Sequence, residues 1–325
     1  MPVTDTHATE ITATAPGKII LCGEHSVVYG HPAIAVPVSD MRVHAHVRAA
    51  DAGEGLRLRA PDIHETLRLQ DAAADHPLGK AVRLLLEHLD APEPDAVLTV
   101  TSELPIAAGM GSGAAVATAI IRALAAYYET DVNPEAVSRM TFEVEKIHHG
   151  TPSGIDNTVI AWEKPVYFVK GELPETFSIG APFQLLIANS GIASSTREAI
   201  TEVRRRVLTT PQYYNVVFTC IGAIAKAARA AVEQGALQAL GTLLNENHEL
   251  LNKIGVSLSE LDALVEAARQ SGALGAKLTG AGLGGNVIAL VTEETIDAVE
   301  RTLEKHGAAR VWRARVALPS EAPEH

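Results

Sequence analysis

The glycines of this 325-residue chain are placed unevenly. Gly109, Gly111 and Gly113 stand at alternate positions in Pro105-Ile106-Ala107-Ala108-Gly109-Met110-Gly111-Ser112-Gly113-Ala114-Ala115, and Gly280, Gly282, Gly284 and Gly285 crowd Leu278-Thr279-Gly280-Ala281-Gly282-Leu283-Gly284-Gly285-Asn286. Glycine costs backbone entropy wherever it is fixed, so such runs belong where the chain must take positive φ or approach something closely. The first run leads into an apolar helical pattern, and free N–H groups at a helix start attract anions. A phosphate chain is its natural occupant, although that run alone reads equally as a tight turn before a packed helix. The second run, between two strand patterns, reads by itself as a hairpin.

Hydrophobic residues make up 47% and charged residues 20%, a globular composition. Aromatics are only 4%, so the core must be built from Ala, Leu, Val and Ile. The net charge of -12 argues against nucleic acid or an anionic membrane surface as a partner. It leaves a small anion open, because a local set of donors can outweigh a distant field. Cys22 and Cys220 have neither disulfide nor metal-ligand spacing and lie among apolar residues, so both are expected to be buried thiols. There is no leader pattern, and no stretch of about 18 apolar residues free of charge. A cytoplasmic protein is the expectation.

Along the chain, β-branched runs alternate with helical spacing. Strands are expected at Ala33–Val38, Val43–Ala49, Leu56–Arg59, Thr66–Leu69 and Ala96–Thr101, with helices at Gly79–Leu89, Ser112–Tyr128 and from Pro134 to about His148. Asn133-Pro134 supplies the last of these with an N-cap and a first-turn proline. Strands at Val166–Lys170 and Phe183–Ala188 flank a loop holding Gly171, Pro174 and Pro182, where a domain boundary is expected. Helices follow at 195–208, 213–233, 237–252 and 259–270, then strands at 275–278, 286–291 and 310–318 with a helix at 294–306 before the last.

Both glycine runs nominally fit a dinucleotide fingerprint, but neither stands directly between a strand and a helix in the required unit. No G-x-x-x-x-G-K-[ST] string occurs, H-R-D and D-F-G are missing, and neither His64-Glu65 nor His248-Glu249 is completed to H-E-x-x-H. The most unusual stretch is Pro16-Gly17-Lys18-Ile19-Ile20-Leu21-Cys22-Gly23-Glu24-His25-Ser26-Val27-Val28-Tyr29-Gly30, which packs a lysine, a glutamate and a histidine around an apolar strand. Taken alone it is also compatible with a solvated edge strand and turn.

These three segments, in this order, together with Pro152-Ser153-Gly154-Ile155-Asp156-Asn157, resemble the GHMP kinase family over residues 15 to 285. The resemblance implies an α+β, two-domain fold with a ribosomal-protein-S5-like N-terminal domain over 1–180 and a ferredoxin-like C-terminal domain over 181–325, the site lying in the cleft between them. It implies ATP- and magnesium-dependent phosphorylation of a small-molecule hydroxyl. Asp156 matches the base, Lys18 its assistant, and Glu145 the magnesium ligand; a hard cation suits a carboxylate oxygen. Pro105, Ala108, Gly109, Met110, Gly111, Ser112, Gly113 and Ala114 match the ATP loop. The family's second serine is replaced here by Gly113, so Ser112 is left as the hydroxyl beside the metal.

The string Ser26-Val27-Val28-Tyr29-Gly30 and the stretch Asn189 to Arg197 resemble members acting on mevalonate more than galactokinases. Glu24, His25, Thr196, Gly280 and Ala281 are the implied substrate contacts. Arg197 and Lys277 are each candidates for a carboxylate partner or for ordinary solvated or structural cations. The implied activity is phosphorylation of the primary hydroxyl of mevalonate, with a homodimer as one expected assembly. Another acceptor (phosphomevalonate, a sugar or homoserine), a decarboxylase, and a ligand-binding member without catalysis remain alternatives.

Overall fold

The computed structural model describes residues 10–104, 109–149 and 152–317. They form two compact units interleaved along the chain. The first holds 10–17, 41–104, 111–149 and 152–162; the second holds 18–40, 109–110 and 163–317. Residues 18–40 thus pack with the C-terminal half although they lie far before residue 180.

The sheet of the first unit uses the early part of β1 (Ile11–Cys22), the later part of β2 (Ala33–Ala49), then β3 (Leu56–Ala60), β4 (Glu65–Arg68) and, after helix α1 (Pro77–Leu89), β5 (Ala96–Ser102). The order is β4-β3-β5-β2, and β1 also pairs with β2. β3 and β5 run parallel, with α1 in the connection. Helices α2 (Ser112–Tyr127), α3 (Pro134–His149) and α4 (Ile155–Trp162) pack against one another. Ala114, Ala115, Ala117, Ala119 and Ala123 are buried along α2, which is how a chain poor in aromatics fills its interior. At the start of α3, Asn133 Oδ1 accepts from the Ala136 N–H at 2.9 Å, the expected cap.

The two strands expected at 33–38 and 43–49 are one strand. Residues 33–35 pair with β6 (Val166–Phe168) and residues 43–49 pair with β5, so the two halves have different partners, while residues 39–42 between the expected strands are part of the same strand.

The second unit continues through β7 (Glu175–Thr176), β8 (Phe183–Asn189), α5 (Thr196–Thr209), α6 (Pro211–Glu233), α7 (Leu237–Ile254), α8 (Ser259–Gln270), β9 (Gly275–Thr279), β10 (Asn286–Val291), α9 (Ile296–Lys305) and β11 (Arg310–Val316). Four strands make an antiparallel sheet in the order β11-β8-β10-β9. Numbered as they occur, that order is fourth, first, third, second, the ferredoxin-like arrangement. Its core gathers Leu186, Phe218, Ile221, Leu251, Leu261, Leu264, Leu278 and Val287. Burying each such side chain contributes about 1.5–3 kcal/mol.

α6 is long and apolar enough to cross a bilayer by composition, yet half of it is buried inside the protein. Its inward face carries Tyr214, Val217, Phe218, Ile221 and Ala225. Cys220 lies on the opposite face and is exposed, so only Cys22 is the buried thiol expected of both. The apolar neighbours of Cys220 in sequence point the other way around the helix. Burial pushes the Cys22 thiol far above its ordinary pKa.

Candidate active site

In the second unit, the end of β1 delivers Lys18 beneath the first glycine run. Lys18 is 5% exposed; its N–H donates to the Met110 carbonyl at 3.0 Å and its ammonium to the Gly109 carbonyl at 3.1 Å. Lysine here therefore shapes the loop as well as charging its surroundings. Gly109 and Gly111 both take left-handed φ, +70° and +72°. A Cβ on Gly109 would meet nothing within 4 Å, so this stretch of backbone has open space beside it. Met110 is an anchor: its side chain is buried. Pro105 and Ala108 lie outside the described residues.

The chain then turns sharply. Gly23 has φ +102°, and a Cβ there would fall 2.4 Å from the Ala33 Cα. His25 follows at φ 61°, ψ -47°, a conformation costly for a residue with a side chain. The strain is held by contacts: His25 Nε2 donates to the Ala281 carbonyl at 2.8 Å, and Tyr29, ending the 3-10 turn Ser26–Tyr29, stacks on Phe218 at 4.4 Å between ring centroids. A carbonyl can only accept, so the tautomer is fixed with the proton on Nε2. Burial, aided by the nearby Lys277 charge, pulls the His25 pKa below its ordinary value, against the opposing pull of the Ala281 bond. Glu24 is buried and ion-paired with the fully buried Lys277 on β9.

The second glycine run closes this cluster. Thr279 Oγ1 donates to the Ile20 carbonyl at 2.9 Å, which fastens the end of β9 to β1. The glycines then divide by role. Gly280 (φ +84°) has open space where a Cβ would be. Gly282 and Gly284 are packing glycines: a Cβ would lie 2.1 Å from the Val256 carbonyl oxygen and 2.7 Å from that of Ile192. The Ser190 N–H donates to the Gly285 carbonyl, the Gly285 N–H to Ile192, and Ser194 Oγ to Gly282. The segment before α5 is thereby laced to the glycine loop, with Thr196 and Arg197 exposed at the start of the helix. The lacing role of Ser194 was absent from the sequence argument, since a serine before a helix reads only as a cap.

In the first unit, Ser112 opens α2 directly after Gly111. Glu145, 3% exposed, lies one turn beyond Thr141, whose hydroxyl meets that of Thr118 on α2 at 3.0 Å. The carboxylate therefore sits on the face of α3 turned toward α2. Asp156 is half-buried in the first turn of α4, following Gly154 at φ +92°. Asn157 Nδ2 donates to the Ser138 carbonyl at 3.2 Å and to its hydroxyl at 2.8 Å, locking α4 to α3 and so fixing Asp156 with respect to the helix bearing Glu145.

Among the described residues no three His, Cys, Asp or Glu side chains are grouped so as to hold a metal ion. A buried carboxylate such as Glu145 is nevertheless costly unless a cation or hydrogen bonds compensate it. Magnesium is commonly bound by one or two carboxylates together with substrate phosphates, and Glu145 has the chemistry of such a ligand.

Comparison with known proteins extends this geometry. The profile for the GHMP kinases N terminal domain matches residues 76–163, and that for the GHMP kinases C terminal domain matches residues 228–309. The chain is 34% identical to a mevalonate kinase of Thermococcus sibiricus, covering 87% of this chain and 90% of that one. It is 34% identical to a mevalonate kinase of Aeropyrum pernix, covering 94% and 95%. The crystal structure of the L. major mevalonate kinase in complex with R-mevalonate superposes with a TM-score of 0.84 at 28% identity, covering 98% of this chain and 99% of that one. On fold, motif order and sequence alike, the chain belongs to the GHMP kinase family of ATP-dependent kinases.

Proposed function

We propose that this protein transfers the γ-phosphoryl group of ATP to the primary hydroxyl of mevalonate. The observation that carries the reading is near full-length similarity, in sequence and in fold, to mevalonate kinases, one of them solved with R-mevalonate. Locally it is supported by two glycine loops with open space at Gly109 and Gly280, and by buried Lys18, Glu24 and Glu145.

Asp156 takes the proton of the primary hydroxyl, or orients it, as the oxygen–phosphorus bond forms and the bond to the ADP leaving oxygen breaks. Lys18 keeps the site positive and holds the loop carbonyl of Gly109. Backbone N–H groups at the start of α2, with Ser112 and Gly113, face the phosphates. Glu145 and Ser112 would hold the nucleotide's magnesium, whose charge would offset that of the phosphates. Glu24, His25, Thr196, Gly280 and Ala281 contact the acceptor. In this reading residues 1–180 supply the phosphate loop and catalytic groups, and 181–325 the second glycine loop. The protein works in the cytoplasm with neither nucleic acid nor membrane as partner, and as a homodimer.

The test is ADP release coupled to a reporting enzyme, with mevalonate, magnesium and ATP. Stoichiometric ADP with mevalonate, and little with phosphomevalonate, galactose or homoserine, is the expected result. Absence of turnover with mevalonate overturns the proposal.

A further inference from the structure

A cavity of about 410 Å³ opens in the first unit between α1, α3 and α4. Small-molecule sites run from roughly 300 to 1,000 Å³, so it has room for a compact ligand. Leu84 of α1, with Met140 and Phe142 of α3, gives it apolar walls. Arg139 and Glu143 also line it, but both charges are already matched. Arg139 pairs with Glu135 at 3.0 Å, and Glu143 with Lys146 at 2.6 Å. Nothing on these walls calls for a charged occupant.

The contribution of α4 is different. Asn157 lines the cavity while only 5% exposed. Its amide nitrogen donates to the Ser138 carbonyl at 3.2 Å and to the Ser138 hydroxyl at 2.8 Å. A carbonyl can only accept, so the nitrogen must face Ser138 and the orientation of the amide is settled. Oδ1 is thereby left as an acceptor, buried and with no hydrogen-bond partner among the described residues. An unmet acceptor in an interior is costly. Water is a poor remedy, because an ordered buried water makes typically about three hydrogen bonds, and Leu84, Met140 and Phe142 offer none.

We propose that this cavity is a ligand site, sharing no residue with the site described above. Its occupant is a compact neutral molecule with an apolar body and one O–H or N–H donor, the donor meeting Asn157 Oδ1. Asn157 follows Asp156 on α4 and ties that helix to α3 at Ser138, about two turns before Glu145. The occupant therefore acts on the two helices that carry Asp156 and Glu145. Its effect on turnover, which rests on the roles proposed for those residues, is a change in kcat of roughly twofold or more.

The probes are indole and benzofuran, which share a shape but of which only indole carries an N–H donor. Titration calorimetry on the whole chain should show saturable binding of indole, with benzofuran weaker by on the order of tenfold, the worth of one hydrogen bond. Asn157→Leu should erase that preference. Leu84→Trp, which fills the cavity and leaves the bond between Asn157 and Ser138 alone, should abolish binding of both probes and carries the test if Asn157→Leu fails to fold. Saturating indole should change kcat for the wild type and leave that of Leu84→Trp as it is. No saturable binding of indole, equal binding of the two probes, or binding that persists in Leu84→Trp overturns the site. Binding with an unchanged kcat overturns the coupling to Asp156. Calorimetry needs no turnover, so a protein that fails to phosphorylate mevalonate overturns the acceptor reading and not this site.

Discussion

Single residues here have sharply different work even where the sequence makes them look alike. Replacing Asp156 by Asn removes a proton acceptor but keeps shape, and Lys18→Met removes a charge and the bond to the Gly109 carbonyl. Each should lower kcat on the order of a hundredfold to ten-thousandfold with little change in thermal stability, measured by steady-state ADP release and calorimetry. Near-normal kcat in either variant would remove that residue from the mechanism. Gly280 and Gly282 are two apart in one run, yet Gly282→Ala drives a methyl into the Val256 carbonyl and Gly280→Ala meets only its left-handed φ. Chemical denaturation should show about 1 kcal/mol lost for Gly280→Ala and several times more for Gly282→Ala. Equal losses would sink the division of the run into open and packing glycines. The motifs that hold Lys18, Glu24, His25 and Asp156 were legible as strings, because glycine and charge spaced so tightly have few other uses. Lys277 was ambiguous, since its partner lies far away in sequence and only the fold brings Glu24 to it.

At the scale of elements, the turn that supports the second glycine run is itself braced. Arg206 on α5, ion-paired to Glu202, donates to the carbonyls of Ile254 and Gly255 at the end of α7. The Leu283 N–H in turn donates to Val256. On the buried face of α7, His248 Nδ1 accepts from the Leu278 N–H at 3.3 Å, and Nε2 meets Asp262 on α8 at 3.1 Å. Burial first, and Arg269 second, push the His248 pKa down to about 4. The unfolded chain then binds a proton that the folded chain does not, so this residue contributes stability above about pH 6.5 and loses it as pH falls toward 4. The full loss amounts to about 3 kcal/mol. Thermal unfolding followed from pH 7 to 4.5 should fall more steeply for the wild type than for His248→Gln, and parallel slopes would refute it. Helix and strand positions were legible from spacing almost throughout, as for α8 and β10. What spacing missed was continuity: residues 39–42 were expected to separate two strands, yet β2 runs through them and takes a different partner on each side.

For the whole molecule, the net charge of -12 is a property of the surface. Lys277 is buried but neutralised by Glu24, so buried Lys18 is a local cation that the chain's total does not reveal. Because a nucleotide binds only the folded chain, a non-hydrolysable ATP analogue with magnesium at about a hundred times its Kd should add about 3 kcal/mol of stability, read as a rise in Tm. Removal of magnesium with a chelator should abolish most of that rise; a nucleotide effect indifferent to magnesium would count against Glu145 as the metal's ligand. The ferredoxin-like sheet and its helices were foreseeable from the family resemblance. The interleaving of the two units was not, because it depends on contacts such as His25 with Ala281 and Tyr29 with Phe218 that no local pattern encodes.

That interleaving limits how such a chain can be cut, recombined or traded. A fragment ending near residue 180 carries Gly23, Glu24, His25 and Tyr29 but leaves Lys277, Ala281 and Phe218 behind. The turn after β1 and the loop that packs on it come from opposite ends of the sequence. Residues 18–40 therefore cannot be transplanted as a cassette: moved alone, they would carry a buried Glu24 away from the lysine that neutralises it, so the two ends have to travel together.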